Sequence, residues 1–219
     1  MIDRVPRIRL LRGERQREFV LTQEQEKLYL ATLPHPLGDV AVVLLDCGLR
    51  LGEALSLEWP QVHLEPANGA MFGYLTVLSG KAKSKKARNV PLSERVVEVL
   101  KRWGPNRGPV FHRENGLPLS ETWMDQQHAA TRDLLKLPPQ EFVLHCLRHT
   151  FGTRLAESGA DVFTIMKLMG HSTVSVSQRY VHPSPEAIER AYERFTKLNR
   201  RPATTVSTTS AQANAAVLQ

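Results

Sequence analysis

The chain has 219 residues, a length that suits one large domain or two small ones rather than a long multidomain assembly. Apolar residues make up 42% and charged residues 23%, a globular balance that excludes wholesale disorder, a collagen-like repeat and a disulfide-dense scaffold. Twenty-nine Lys and Arg against 22 Asp and Glu leave a net charge of +7, which favours a polyanionic partner because each cation that meets a phosphate releases condensed counterions.

The longest unbroken apolar stretch, Val40 to Leu45, is far short of the roughly 20 residues of a membrane span. The N-terminus, Met1-Ile-Asp-Arg-Val-Pro-Arg, has no apolar segment of the secretory kind, so a soluble, cytoplasmic protein is expected. Cys47 and Cys146 are far apart in sequence and are expected to be reduced. The positive charge is clustered. Arg4, Arg7, Arg9, Arg12, Arg15 and Arg17 crowd the first segment, and Lys81, Lys83, Lys85, Lys86 and Arg88 follow one another from Gly80 without an acid.

Residues 1–20 show no sustained apolar period and read as a basic arm or linker. Thr22-Gln-Glu-Gln25 fits a capping box that opens a helix to about Ala31, and Pro34 and Pro36 break it. A buried helix from Leu37 ends at Gly48, and Arg50 to Leu57 resumes helical spacing. The period then changes. Met71 to Leu78 and Arg88 to Leu92 are β-leaning, which places the lysine cluster on or beside a hairpin turn.

Ser93 caps a helix to about Trp103, Gly104-Pro105 stops it, and Pro109-Val-Phe111 reads as a short strand. Helices follow at about Glu121 to Leu135, His145 to Ser158, Val162 to Met169, Val174 to Tyr180, and Pro185 to Asn199. The last stretch, from Pro202 to Gln219, has no charged or aromatic residue and is rich in Ala, Thr and Ser, so a tail that is mobile, or ordered only against a partner through Val217 and Leu218, is expected. The predicted fold is α+β and mainly helical with a small antiparallel hairpin or sheet. The predicted domains are an arm over 1–20, a catalytic body over 21–199 and a tail over 200–219.

Three segments carry residues suited to chemistry. In His145-Cys-Leu-Arg148-His149-Thr-Phe-Gly152, a turn of about 100° per residue puts His145, Arg148 and Gly152 on one face and Leu147, Phe151 and Leu155 on the other. Gly152 leaves room there for the close approach of a backbone. The same pattern also fits an amphipathic helix with a merely solvated His and Arg. A zinc reading of His145 and His149 lacks the Glu of the metalloprotease pattern and a third ligand. In Leu168-Met-Gly170-His171 and the following Arg179-Tyr180, a helix-closing Gly precedes an exposed His, and a basic neighbour would lower a phenol pKa that is otherwise about 10. Gly48-Leu-Arg50-Leu-Gly-Glu53 holds an i, i+3 ion pair that taken alone is a surface feature.

Taken in order, Gly48-Leu-Arg50-x-x-Glu53, the basic hairpin ending Arg88-Asn-Val-Pro-Leu92, Leu144-His-x-x-Arg148-His-Thr-Phe, Leu168-Met-Gly-His171 and Tyr180 closely resemble the catalytic domain of the tyrosine recombinases, the phage-type integrases. The resemblance spans about Thr22 to Asn199. It implies site-specific cutting and rejoining of double-stranded DNA, with no metal and no nucleotide cofactor. Tyr180 would be the nucleophile that forms a 3′-phosphotyrosyl link and releases a 5′-hydroxyl. Arg50 and Arg148 would clamp the phosphate oxygens bidentately, and Glu53 would hold Arg50. His145 would exchange the nucleophile's proton, and His171 would bond a phosphate oxygen and brace Tyr180.

A lysine would protonate the departing oxygen. Counting back from Arg88, the resemblance places it at Lys83, with Lys81 second; Lys85 and Lys86 would be phosphate anchors or a solvated turn, and Lys81, Arg88 and Arg179 are also expected to contact the DNA. The N-terminal helical domain that many integrases carry before this one is not in the sequence. A catalytic fragment is therefore expected, in preference to a short single-domain enzyme. The segment after the nucleophile, by resemblance, packs on a neighbouring protomer of a tetramer assembled on DNA. The competing readings are a type IB topoisomerase, which shares the chemistry but relaxes supercoils, and a DNA-binding module in which Tyr180 is structural.

Overall fold

The computed structural model describes residues 19–67, 69–78, 87–104, 107–181 and 185–199. The expected basic arm up to Arg17, the lysines Lys81, Lys83, Lys85 and Lys86, and the tail beyond Asn199 lie outside them. The described chain forms two compact units that divide after Val181.

The first unit is built on α2 (Leu37–Cys47) and α6 (His145–Glu157), two neighbouring helices buried on most sides. α1 (Gln23–Thr32) opens as its sequence demands: the Thr22 hydroxyl accepts the Gln25 N–H at 3.2 Å and the Gln25 amide oxygen accepts the Thr22 N–H at 3.0 Å. α2 closes at Gly48 in the left-handed region (φ 59°). A Cβ there would stand 2.2 Å from the Phe151 ring of α6, so the position demands glycine for backbone and for packing. α3 (Leu51–Leu55) follows, then a 3-10 turn over Trp59–Gln61.

Three antiparallel strands, β1 (Val62–His63), β2 (Tyr74–Leu78) and β3 (Ala87–Pro91), form one sheet in the order β1-β2-β3. The pairs Leu75↔Val90 and Val77↔Arg88 fix the register. Leu75, Val77 and Val90 are buried, so the side chain of Arg88 shares the inward face. α4 (Glu94–Trp103), α5 (Glu121–Leu134), α7 (Val162–Met169) and α8 (Val174–Gln178) complete this unit, and the second described unit contains α9 (Pro185–Asn199).

The mainly helical fold with a small antiparallel sheet matches the expectation. Three details differ. Pro109 to Phe111 makes only an isolated bridge, Glu58↔Pro109, because its two backbone bonds, Val110 N–H to Leu57 O (2.7 Å) and Trp59 N–H to Gly108 O (3.0 Å), do not extend into a ladder. The two-residue β1 and the 3-10 turn carry too short a pattern to be read from sequence. α9, expected within the catalytic body, belongs to the second unit.

Two internal networks tie α1 to the rest of the first unit. Glu26, buried in α1, pairs with Arg95 of α4 (2.6 Å) and with Arg154 of α6, while Arg95 also binds Asp46 of α2. Tyr29 is fully buried, and its hydroxyl lies 2.7 Å from Nδ1 of His128 in α5, whose Nε2 lies 3.1 Å from the carbonyl of Phe142. A carbonyl only accepts, so Nε2 carries the proton and Nδ1 accepts from the tyrosine. Burial, which holds the His128 pKa below its usual value, agrees with a neutral ring. The substitution Tyr29→Phe leaves the Nδ1 lone pair buried without a donor, and equilibrium urea unfolding is expected to show a loss of about 1–3 kcal/mol. An unchanged midpoint would contradict this assignment.

Candidate active site

The last turn of α7 presents three successive carbonyls, and each receives a different arginine. Arg88 of β3 donates Nε–H to Leu168 O at 2.9 Å, Arg148 of α6 donates from Nη2 to Met169 O at 2.5 Å, and Arg50 at the start of α3 donates from Nη2 to Gly170 O at 3.2 Å. Gly170 ends the helix with φ 65°, and the His171 N–H turns back to Met166 O at 3.0 Å. A Cβ on Gly170 would lie 2.6 Å from the Arg88 guanidinium. The Met-Gly step therefore reflects packing as well as turn geometry.

Glu53 supplies the counter-charge. Its carboxylate accepts the Arg50 backbone N–H at 2.8 Å, Arg50 Nη1 at 3.1 Å, and a two-pronged bond from Arg88, Nη1 at 3.0 Å and Nη2 at 2.7 Å. Arg148 Nη1 lies 3.9 Å from the same carboxylate and donates to Gly48 O at 2.5 Å. Burial alone would raise the Glu53 pKa, but the Arg88 bond, the Arg50 N–H and both charges overcome it and hold the carboxyl below its ordinary range. Arg148 is pushed down to about 10 by burial and then by the nearby Arg50, with Glu53 opposing, so it stays charged at neutral pH.

The three arginines differ in exposure. The Arg50 side chain is 48% exposed, whereas those of Arg88 and Arg148 are 9% and 3% exposed. Arg50 thus faces solvent beside a buried cationic wall. His145 and Arg148 line an adjoining cleft of about 440 Å³ together with Leu49, Leu51, Asp125 and Arg132. His145 is exposed at the start of α6. Its pKa lies below the usual imidazole value, through displaced water first and then through Arg148, His149, Arg50 and Arg179.

Tyr180, two residues beyond α8, is half-buried against α6. A Cβ on Gly152 would meet the Tyr180 ring at 2.8 Å (Cε1) and Met169 Sδ at 2.9 Å, so glycine makes room for this phenol. The expected close approach at Gly152 is thus made by a ring rather than by a backbone. His171 stacks parallel to Tyr180 with centroids 6.2 Å apart, and His149 lies 5.1 Å away at a tilt. His171 Nδ1 is 2.8 Å from the hydroxyl of buried Ser177. Burial first, then Arg148, Arg50, Arg179 and Arg88, push the His171 pKa down to about 4.

The structure therefore brings Arg50, Glu53, Arg148 and His171 to the end of α7, with Tyr180 against His171 and His145 on the cleft beside Arg148. It alters several expectations. Arg88, expected to contact DNA, is turned inward onto Glu53. On the α6 face expected to carry His145, Arg148 and Gly152, His145 is exposed but Arg148 and Gly152 are buried, while Phe151 on the expected core face is only half-buried. Arg148 and Arg179 do draw the Tyr180 phenol toward ionisation, but burial outweighs them and its pKa lies above the ordinary value. Among the described residues no three His, Cys, Asp or Glu gather as a metal site, and no helix is long and apolar enough to cross a membrane. Arg179 is exposed. Two further contacts have no local signal in the sequence: the His149 ring beside the phenol and the Ser177 hydroxyl on His171.

This fold and this clustering define a class. The chain belongs to the phage integrase family, whose sequence profile matches residues 18–187. It is 32% identical over 167 residues to the tyrosine recombinase XerD of Staphylococcus saprophyticus and to that of Staphylococcus aureus, alignments that cover 70% of this chain and 52% of each relative. The chain thus spans about half the length of these curated relatives. Among solved structures, the Tn1549 transposon integrase in complex with circular intermediate DNA superposes with a TM-score of 0.65 at 22% identity, covering 84% of this chain and 69% of that one. The catalytic domain of bacteriophage HP1 integrase gives 0.61 at 26% identity, covering 83% and 96%. XerH bound to difH substrate gives 0.60 at 22% identity, covering 80% and 54%.

The depressed histidines set a pH dependence. His171 takes up a proton near pH 6.5 when unfolded and near pH 4 when folded, so between these values the unfolded state binds more protons and acid favours unfolding. His145 and His128 act in the same direction. Stability measured by urea unfolding is expected to be full above about pH 6.5 and to decline as the pH falls toward 4. In His171→Asn the decline is shallower. A flat profile, or an equal slope in the variant, would contradict the assignment.

Proposed function

We propose that this chain is the catalytic part of a site-specific DNA recombinase that cuts and rejoins double-stranded DNA through Tyr180. The observation that carries the reading is the gathering of Arg50 and Arg148 at the end of α7, with His171 stacked on the one tyrosine that the family's motifs select. Attack on a phosphodiester builds negative charge on its non-bridging oxygens, and fixed guanidinium groups stabilise that charge without reorganising. Arg50 presents its donors from the exposed side and Arg148 from the cleft wall. Tyr180 bonds to phosphorus as the 5′ oxygen leaves, and one ester replaces another, so rejoining needs no external energy. Neutral His145 accepts the phenol proton, and the raised phenol pKa makes that acceptor necessary. His171, neutral at physiological pH, bonds a phosphate oxygen and keeps the ring in place. Lys83 protonates the departing oxygen, while Lys81, Lys85, Lys86 and Arg179 meet flanking phosphates.

DNA in the solved complexes of the Tn1549 integrase and XerH supports the same partner here. The relatives named above are recombinases and integrases, which favours strand exchange over relaxation alone. Self-association on DNA is supported by α9, where Ile188, Tyr192 and Phe195 are exposed at helical spacing in a stripe suited to a second copy.

The test is a covalent trap. The chain is incubated with a pool of nicked suicide duplexes of randomised sequence, resolved under denaturing conditions, and the modified peptide is mapped. A protein–DNA adduct at Tyr180, absent in Tyr180→Phe, is expected. Strand exchange between two marked duplexes carrying the selected site then distinguishes a recombinase from a topoisomerase. No adduct, or an adduct elsewhere, would contradict the proposal.

A further inference from the structure

The geometry points to Arg88 as a positioning residue of the cleavage reaction, joining the strand β3 to the carboxylate that holds Arg50 and to the turn that carries His171. This inference rests on the recombinase reading. Arg88 occupies the inward face of β3 opposite Val77, and its guanidinium uses three nitrogens at once: Nη1 and Nη2 on the two oxygens of Glu53 at 3.0 and 2.7 Å, and Nε on Leu168 O at 2.9 Å. The planar fork suits this three-point grip, and an ammonium cannot span it.

Each partner of Arg88 leads to the reacting centre. Glu53 spends its remaining bonds on the backbone and side chain of Arg50. Leu168 is two residues from Gly170, whose carbonyl receives Arg50 and whose missing Cβ makes room for the Arg88 guanidinium. His171 follows directly. On the other side, β3 begins at Ala87, paired with Leu78 of β2, so Arg88 anchors the strand that emerges from the segment bearing Lys83. A side chain only 9% exposed and bonded in this way serves the arrangement of Arg50 rather than a DNA phosphate.

The test uses the nicked duplex on which the unsubstituted chain forms its Tyr180 adduct; absence of that adduct would count against the recombinase reading itself. In Arg88→Lys, single-turnover cleavage is expected to fall about tenfold or more. DNA affinity and its salt slope are expected to be unchanged, because no phosphate contact is lost. The discriminating readout is a duplex with a methylphosphonate at the scissile link. Replacing one charged oxygen by methyl reduces the need for a fixed cation, so the defect of Arg88→Lys shrinks on this substrate, in parallel with that of Arg50→Ala. Equal losses on both substrates, wild-type cleavage, or a weaker affinity with a shallower salt slope would each overturn the inference. If Arg88→Lys does not fold, Arg88→Gln, which keeps a donor toward Leu168, undergoes the same comparison. Loss of fold in both variants would also overturn it, in favour of a purely structural role.

Discussion

Three guanidinium groups held around one carboxylate and the open end of one helix are the interaction on which the site depends. Positive charges this close repel, and two of them are removed from water, which would ordinarily favour dispersal of the cluster. The fold opposes this with Glu53 and with carbonyls that helices leave unsatisfied at their C-termini, where the peptide dipoles also concentrate negative charge. Leu168, Met169 and Gly170 at the end of α7, and Gly48 at the end of α2, are those carbonyls. The arginines come from α3, β3 and α6, so the cluster forms only when these elements are assembled. One carboxylate among three cations leaves the site positive and suited to an oxyanion.

The scaffold around this cluster is rigid for identifiable reasons. α2 and α6 approach closely because Gly48 has no side chain where Phe151 lies, and Tyr180 rests on α6 because Gly152 has none. The start of α1 is attached to α6: the Leu21 N–H bonds the Thr150 hydroxyl at 3.2 Å, and Arg154 donates to Leu21 O at 2.9 Å. Tyr29, His128 and Phe142 form an edge-to-face aromatic group immediately before α6. Arg148 itself is held by the carbonyls of Gly48 at the end of α2 and of Met169 in α7.

Much of this was readable where a local rule decides the outcome. Capping at Thr22 and Ser93, left-handed closure at Gly48 and Gly170, and the period change into β2 and β3 all depend on neighbours in sequence. The candidate residues Arg50, Glu53, Arg148, His171 and Tyr180 are selected by family motifs, and the structure gathers them. Features set by distant partners were missed. The two-residue β1 exists through pairing with β2, and Arg148, on the polar face of α6, is buried because its guanidinium reaches Gly48 O and Met169 O at the ends of α2 and α7. Arg88 is the instructive case. Its charge suggested a surface, yet alternation with Val90 already placed it on the inner face of the strand, and a buried arginine implies a buried acid. Glu53, which the motif pairs with Arg50, is that acid.

Glu53 is the counter-ion that permits the arginine cluster. Thermal unfolding of Glu53→Gln against the unsubstituted chain, each with and without sulfate, tests it most directly. The variant should be less stable, and sulfate should raise its midpoint more than that of the unsubstituted chain, because the anion takes the place of the lost carboxylate in addition to its general stabilising effect. Equal midpoints without sulfate, or equal gains with it, would show that the cluster does not depend on that charge.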